Sequence, residues 1–355
     1  MNKSSLRFLH RILDAPGPSG FETAPAAVWR DEAAAVADDV VADVSGNSVA
    51  VLNPDGAPRV MLAGHIDEIG LMIVHVDDNG FLYFSGIGGW DGQVLVGQRV
   101  LVLSKRGTIL GVIGKRAIHL IKTEDRDTAS KISDLWIDIG ARNRKNALKL
   151  VRVGDSAVIA GDAVELLNKR LVSRSIDNRI GAFVVLEALR LLQRRRPRAA
   201  VFAVATAQEE TSWSGGGART SAFGIEPTVA IVVDVTHASD CPGAEKKEVG
   251  DFKLGGGPVL SRGSAINPVV FEMLIQVAEK EKIAYAIQAA PTETGTDADA
   301  IYTTQRGVAT GLVSIPNRYM HSPCEMIELA DLDRAARLLA AFTRRLTAKT
   351  DFVPR

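Results

Sequence analysis

Between Gly70 and about Ala163 the chain gives up helical periodicity. Short β-like runs (LMIVHV, FLYF, QRVLVLS, RGTILGVIG and DSAVIAG) are separated by Gly and Asp/Asn turns, and only the stretch around Lys145–Leu150 keeps helical spacing. On both sides, helix-like and strand-like patterns alternate, as they do in layered α/β folds. The chain therefore reads as an α/β unit, residues 1–70 and 164–355, interrupted by a small β-rich insertion, residues 71–163. At 355 residues it is long enough for one large core or two ordinary ones.

In the outer segments Ser4 or Ser5 is expected to cap a first helix whose Leu6, Phe8, Leu9, Ile12 and Leu13 follow helical spacing, broken by the residues 16–20 (PGPSG). A second helix is expected over Pro25–Ala37, then strands near Val40–Val44 and Ser48–Leu52. A turn at Asn53–Gly56 leads into the apolar Arg59–Ala63 strand that delivers His65. After Leu171 the pattern predicts a helix over Arg179–Gln193, strands at Ala200–Thr206 and Val229–Val233, a helix over Pro268–Lys282, strands near Ala284–Gln288 and Val308–Ile315, and a last helix over Ala330–Lys349. Arg194–Arg198 (RRRPR) reads as a solvated helix end stopped by Pro197, not as a recognition motif.

Six chemically active residues sit just past apolar β-like runs or at a helix head: His65, Asp177, Glu209, Glu210, Asp234 and His321. Open α/β sheets gather their chemistry at the carboxyl ends of their strands. Two metals held about 3.5–4 Å apart need a bridging carboxylate, imidazole or carboxylate ligands on each ion, and a shared water. Asp177 would bridge, with His65 and Asp234 on one ion and Glu210 and His321 on the other. Mixed imidazole and carboxylate ligands suit Zn²⁺, and also Co²⁺ or Mn²⁺. His65 and Asp67, two apart in an extended segment, point to the same side, so Asp67 can accept the second imidazole N–H and orient the ring. At a strand end the adjacent Glu209 and Glu210 point differently, one toward metal and the other, Glu209, toward the water as general base. Taken singly, these residues have ordinary explanations: an Asp at a helix start is usually a cap, and paired glutamates are usually solvated. The convergence is what makes them specific.

The remaining candidates read more plainly. His237 is expected beside the site rather than as a ligand; His10, His75 and His119 have core or surface roles; Cys324 packs; Gly215–Gly217 is a flexible loop and not a phosphate cradle, since no Lys-Ser/Thr follows it. Forty-two basic residues balance forty-two acidic ones, which gives no electrostatic case for nucleic acid or an anionic membrane. The N-terminus lacks a signal-length apolar stretch, and no window reaches the roughly 18–20 apolar residues of a membrane span. Cys241 and Cys324, the two cysteines, form neither a CxxC pair nor a disulfide framework. A cytoplasmic protein is expected.

The segments GHIDEIG, SRSIDNRIG, ATAQEE, VVDVTHASD, GTDADAI and HSPCE, in that order, closely resemble the tetrahedral-aminopeptidase (M42) family of metallopeptidases, which includes glutamyl, leucyl and lysyl aminopeptidases and members once labelled endoglucanases. The likeness runs from PGPSGFE to HSPCE and onward, nearly the whole chain. It implies an α/β fold with a mostly parallel central sheet flanked by helices, interrupted by a PDZ-like β-barrel that serves in dimerisation. It also implies the ligand set above with Glu209 as base and Asp67 orienting His65, removal of N-terminal residues from short peptides, and homo-oligomers built from dimers, up to hollow twelve-subunit tetrahedra. Two departures stand out. The Thr211–Ala218 stretch is about two residues longer than the family's usual route from the glutamate pair to the next helix, and Asp299 replaces a commonly small residue, which is expected to favour a basic substrate side chain. The rival readings are a metal-dependent deacylase or carboxypeptidase of the related co-catalytic zinc group, a glycosidase, and a non-catalytic assembly protein. Adjacent Glu209 and Glu210 suit a glycosidase poorly, because its carboxylates flank the bond about 5–9.5 Å apart.

Overall fold

Apolar runs without period-two alternation form the centre of the main sheet, where both faces are covered. The computed structural model describes residues 1–211 and 215–355. Its strands in chain order are β1 (Asp39–Ala42), β2 (Ser48–Leu52), β3 (Arg59–His65), β4 (Gly70–Val76), β5 (Leu82–Ile87), β6 (Arg99–Ser104), β7 (Gly107–Lys115), β8 (Leu135–Asp138), β9 (Ser156–Ile159), β10 (Val164–Leu166), β11 (Arg170–Ser173), β12 (Ala200–Thr206), β13 (Val229–His237), β14 (Val259–Gly263), β15 (Ala286–Ala290), β16 (Ala309–Asn317) and β17 (Glu325–Glu328). Among the described residues, eight of them form one sheet in the order β1-β2-β12-β3-β13-β16-β14-β15. Its centre, β12-β3-β13-β16, is parallel throughout, and antiparallel pairs occur toward both edges. β3 is buried from Val60 to His65 and β13 from Val229 to Thr236, which is why neither run shows polar alternation.

The next strand to join the centre after β3, β12, lies on one side of β3, and the one after it, β13, lies on the other. The strand order therefore reverses at β3, and ligands bind outside the carboxyl ends of strands at such a reversal. The helix Ile176–Arg194 packs on β3, β12 and β13, with Leu329–Arg345 and Lys3–Asp14 against it. Gly64 makes the closest approach possible: a Cβ there would lie 2.4 Å from the Gly181 carbonyl carbon of that helix. This brings the helix head, with Asp177, up to the end of β3.

The β-rich stretch is a closed antiparallel barrel, β4-β5-β8-β7-β6-β9. Leu71, Ile73, Leu82, Val100, Val102 and Ile137 fill it with an apolar core separate from that of the α/β part. Closure leaves no unpaired strand edge. β10, β11 and β17 make a small third sheet. Among the described residues no helix is long and apolar enough to cross a membrane.

Several local expectations are corrected. The first helix is capped by Asn2, whose side chain accepts from the Ser4 and Ser5 amides at 2.9 Å each, rather than by either serine. The second helix ends early, at Thr23–Ala33, and the last spans Leu329–Arg345. Gly216 and Gly217 open the helix Gly216–Ile225 instead of forming a loop. Gly217 is required there, because a Cβ would lie 1.9 Å from Asn47 Oδ1. Three of the eight residues in the lengthened stretch after Glu210, Ser212, Trp213 and Ser214, lie outside the described residues.

Candidate metal centre

The five expected ligands and Glu209 line one cavity of about 900 Å³ at the carboxyl end of the central strands. His65 is the last residue of β3, paired in parallel register with Thr206 at the end of β12. Two residues beyond the last β13–β3 pair, Val232 with Ala63, those strands reach Asp234 and His65. Asp177 sits in the first turn of its helix, and His321 follows β16 by four residues. A turn after β5 in the inserted barrel closes one wall. A Cβ on Gly88 would lie 3.2 Å from Glu210 Oε2, and one on Gly89 would lie 3.1 Å from His321 Nδ1.

Asp177 stands between the two imidazoles. Its Oδ1 is 3.2 Å from His65 Nε2 and its Oδ2 is 3.5 Å from His321 Nε2. Glu210 Oε1 lies 3.5 Å from the same His321 nitrogen, and Glu209 Oε2 lies 3.7 Å from His65 Nε2. Ligand atoms of His65, Asp177 and Glu210 fall within 4.8 Å of one another, and so do those of His65, Glu209 and Asp234. Two three-residue clusters of metal-binding type thus meet at His65.

The backbone after β12 is held by side chains that sequence patterns do not single out. Asn47 accepts the Ala207 amide at 2.9 Å, Glu22 the Gln208 amide at 3.1 Å, and Asp67 both the Glu209 and Glu210 amides at 3.2 and 3.1 Å. Asp67 was expected to orient His65. Its Oδ1 faces His65 Nδ1 at 3.4 Å, each group favouring the other's charged form, while it also holds the amides of the glutamate pair. Glu325, in HSPCE, does the same at the far side: one carboxylate accepts the Asp177 amide and the His321 amide, each at 2.9 Å. Gln208 (φ 61°) and His321 (φ 57°) occupy the left-handed region, which costs a residue with a Cβ about 1–2 kcal/mol. Those amide bonds hold them there. Beneath the site, fully buried Arg179 joins Glu68 (2.8 Å) to the carbonyls of Ile66, Leu13 and Gly17, tying the Asp177 helix to the segment that follows His65.

Charge in this cavity is unbalanced. Burial, then the charges of Asp234, Asp297 and Glu210, push Glu209 well above the usual carboxylate range despite His65. Burial likewise raises Asp234 and Glu210. Burial also opposes ionisation of Asp177, but the imidazoles of His321 and His65 hold its carboxyl below the usual range. The neighbouring carboxylates of Asp177 and Glu210 push His321 up to about 11. His65 Nδ1 and Glu210 Oε1 are buried without a hydrogen-bond partner. Buried acids in this excess are stabilised by bound cations. The donor set, imidazole nitrogen and carboxylate oxygen without thiolate, fits divalent metal ions.

Other residues fall as follows. His237 lines the cavity and is exposed. Cys324 is exposed, not packed as expected, because it lies in the turn after His321. Asp299 lines the cavity, but its two oxygens accept the Thr294 and Gly295 amides and the Thr294 hydroxyl, which leaves it poorly placed to greet a basic side chain. Asp297, in the same GTDADAI segment, was not singled out by sequence. It is 3% exposed, lines the cavity and accepts the Thr206 hydroxyl.

Burial lifts the Asp297 carboxyl to about 6, from about 4 in an unfolded chain. Between these values the folded protein keeps a proton that the unfolded chain has released. Its stabilising contribution is complete below about pH 4 and is lost as the pH rises through about 6. Chelator-treated Asp297→Asn should therefore lose less stability than the chelator-treated parent over this window in urea unfolding. Parallel curves for the two proteins would refute the shift.

An acid- and imidazole-lined cavity at the reversal point of a parallel-centred sheet, walled partly by an inserted barrel, places the chain among metallopeptidase-like α/β folds. It belongs to the M42 glutamyl aminopeptidase family, whose model matches residues 46–338. It is 35% identical over 354 residues to the lysyl aminopeptidase of Pyrococcus furiosus, covering 98% of each chain. Among solved structures it is similar to the TET aminopeptidase of a marine-sediment Thaumarchaeota archaeon (TM-score 0.92, 33% identity, 97% of each chain). It is also similar to the Pyrococcus horikoshii TET1 peptidase (TM-score 0.84, 30% identity, 96% of this chain and 100% of that one), which can assemble into a tetrahedron or a large octahedral shell.

Proposed function

We propose that this chain is a binuclear metal-dependent aminopeptidase that removes N-terminal residues from short peptides. The convergence of His65, Asp177, Glu209, Glu210, Asp234 and His321 on one cavity carries the proposal, in a chain of the M42 family. His65 and Asp234 would hold one ion and Glu210 and His321 the other, with Asp177 shared between them. The two Asp177 oxygens, facing one imidazole each, support that bridge. Zn²⁺ suits this donor set first, then Co²⁺ or Mn²⁺. Such ions supply Lewis acidity and charge neutralisation.

Glu209 is the general base: it takes a proton from the attacking water and returns it to the departing amine. Asp67 and Glu22 keep its backbone in place, so the carboxylate meets the substrate at a set angle. The α/β unit, residues 1–70 and 164–355, is the catalytic part. The barrel, residues 71–163, joins two copies into a dimer from which a larger shell is built, up to a tetrahedral dodecamer. Exposed Leu110, Val112 and Leu120 on the insertion support this, as does the assembly of the TET1 relative. The two free cysteines support a cytoplasmic location.

Leucine, lysine and glutamate 4-nitroanilides, each with a free or an acetylated α-amine, provide the test. Cleavage confined to the free amines is expected. Comparable cleavage of the acetylated set points instead to the deacylase reading and removes the proposal.

A further inference from the structure

We propose that Asp297 anchors the free α-ammonium group of the substrate. The assignment rests on the aminopeptidase reading above and names the residue that makes a free amine necessary.

An α-amine is two bonds from the carbonyl carbon that is attacked. Its site must therefore lie in the same cavity as Glu209, within reach of a negative group not already committed. Among the acids lining the cavity, Asp177, Glu210 and Asp234 belong to the metal donor set and Glu209 is the base. Asp299 spends both oxygens on the Thr294–Gly295 loop. Glu293 is exposed on the rim, where water screens it.

Asp297 differs from all of these. Its side chain is 97% shielded from bulk water, since only 3% is exposed, yet it lines the cavity. Oδ2 accepts the Thr206 hydroxyl, at the end of β12, which fixes the plane of the carboxylate. Among the described residues Oδ1 has no hydrogen-bond partner. Helix capping does not explain the residue either, because Thr296 is the cap and its Oγ1 accepts the Ala298 amide at 3.2 Å. Asp297 lines the same cavity as Glu209 and Asp234. A buried carboxylate with one oxygen locked and the other free is matched by a small cation carrying several N–H donors.

The experiment uses metal-loaded protein and calorimetric binding of two inhibitors with one carbon skeleton: leucine hydroxamate, and 4-methylpentanohydroxamic acid, which lacks the α-amine. The parent should prefer the amine-bearing compound. In Asp297→Asn, which still accepts the Thr206 hydroxyl, binding of leucine hydroxamate should weaken roughly 10- to 100-fold, the range of a hydrogen bond to a charged group. The amine-free compound should bind as before. Equal weakening of both, or of neither, overturns the assignment, the first by showing that Asp297 only shapes the cavity floor. Asp297→Ser, smaller and neutral, must show the same selective loss and serves if the Asn variant is poorly folded. A parent that binds both compounds equally well removes the aminopeptidase reading itself, an outcome distinct from an unchanged preference in the variants.

Discussion

Replacing Glu209 by Gln is expected to lower turnover by about 10²–10⁴-fold, the usual contribution of a positioned general base, while bound metal stays at the parent level. The substitution is nearly isosteric and keeps the Glu209 amide bond to Asp67, so the turn after β12 has no reason to move. It removes only the ability to accept and return a proton. Burial already makes the Glu209 carboxylate more basic than an exposed one, which brings its proton affinity closer to that needed at neutral pH. The measurement pairs anilide turnover with metal analysis of the same sample. Metal lost together with turnover would reassign Glu209 as a ligand, consistent with its place beside His65 and Asp234. Unchanged turnover would end its role as base.

Removal of divalent ions by a chelator is expected to abolish activity and to lower the melting temperature, with both restored by Zn²⁺, Co²⁺ or Mn²⁺. Asp177, Glu209, Glu210 and Asp234 share one cavity with the His65 and His321 imidazoles, and carboxylates without enough positive charge nearby are costly to bury. A ligand present at about a thousand times its dissociation constant stabilises the folded state by about 4 kcal/mol, so the thermal shift should be plain. Full activity after exhaustive chelation would rule out metal catalysis and revive the paired-carboxylate glycosidase reading, to which chelators are indifferent.

Much of the site is legible in the sequence for a local reason. An apolar run that stops at a polar residue marks the carboxyl end of a covered strand, so His65, Glu209 and Glu210 announce their position without any knowledge of their neighbours. The loss of helical periodicity after Gly70 marks the barrel in the same way. The cap at Asn2 and the helical first turn at Gly216 were misread because the deciding contacts are specific. Asn2 reaches forward two and three residues with its side chain, and Gly217 is shaped by Asn47, far away in the chain.

Pattern and spacing determined that this chain is an α/β protein with a β-rich insertion, and which imidazoles and acids stand at strand ends. Only the folded molecule decided how they are held: Asp67 under the glutamate pair, Glu325 joining Asp177 to His321, Asn47 and Glu22 on the turn, and Asp297 bonded through one oxygen to Thr206. These roles depend on hydrogen bonds between residues far apart in the chain. Periodicity reports burial along a single element, whereas a side chain's bonding partner depends on which elements the topology brings together.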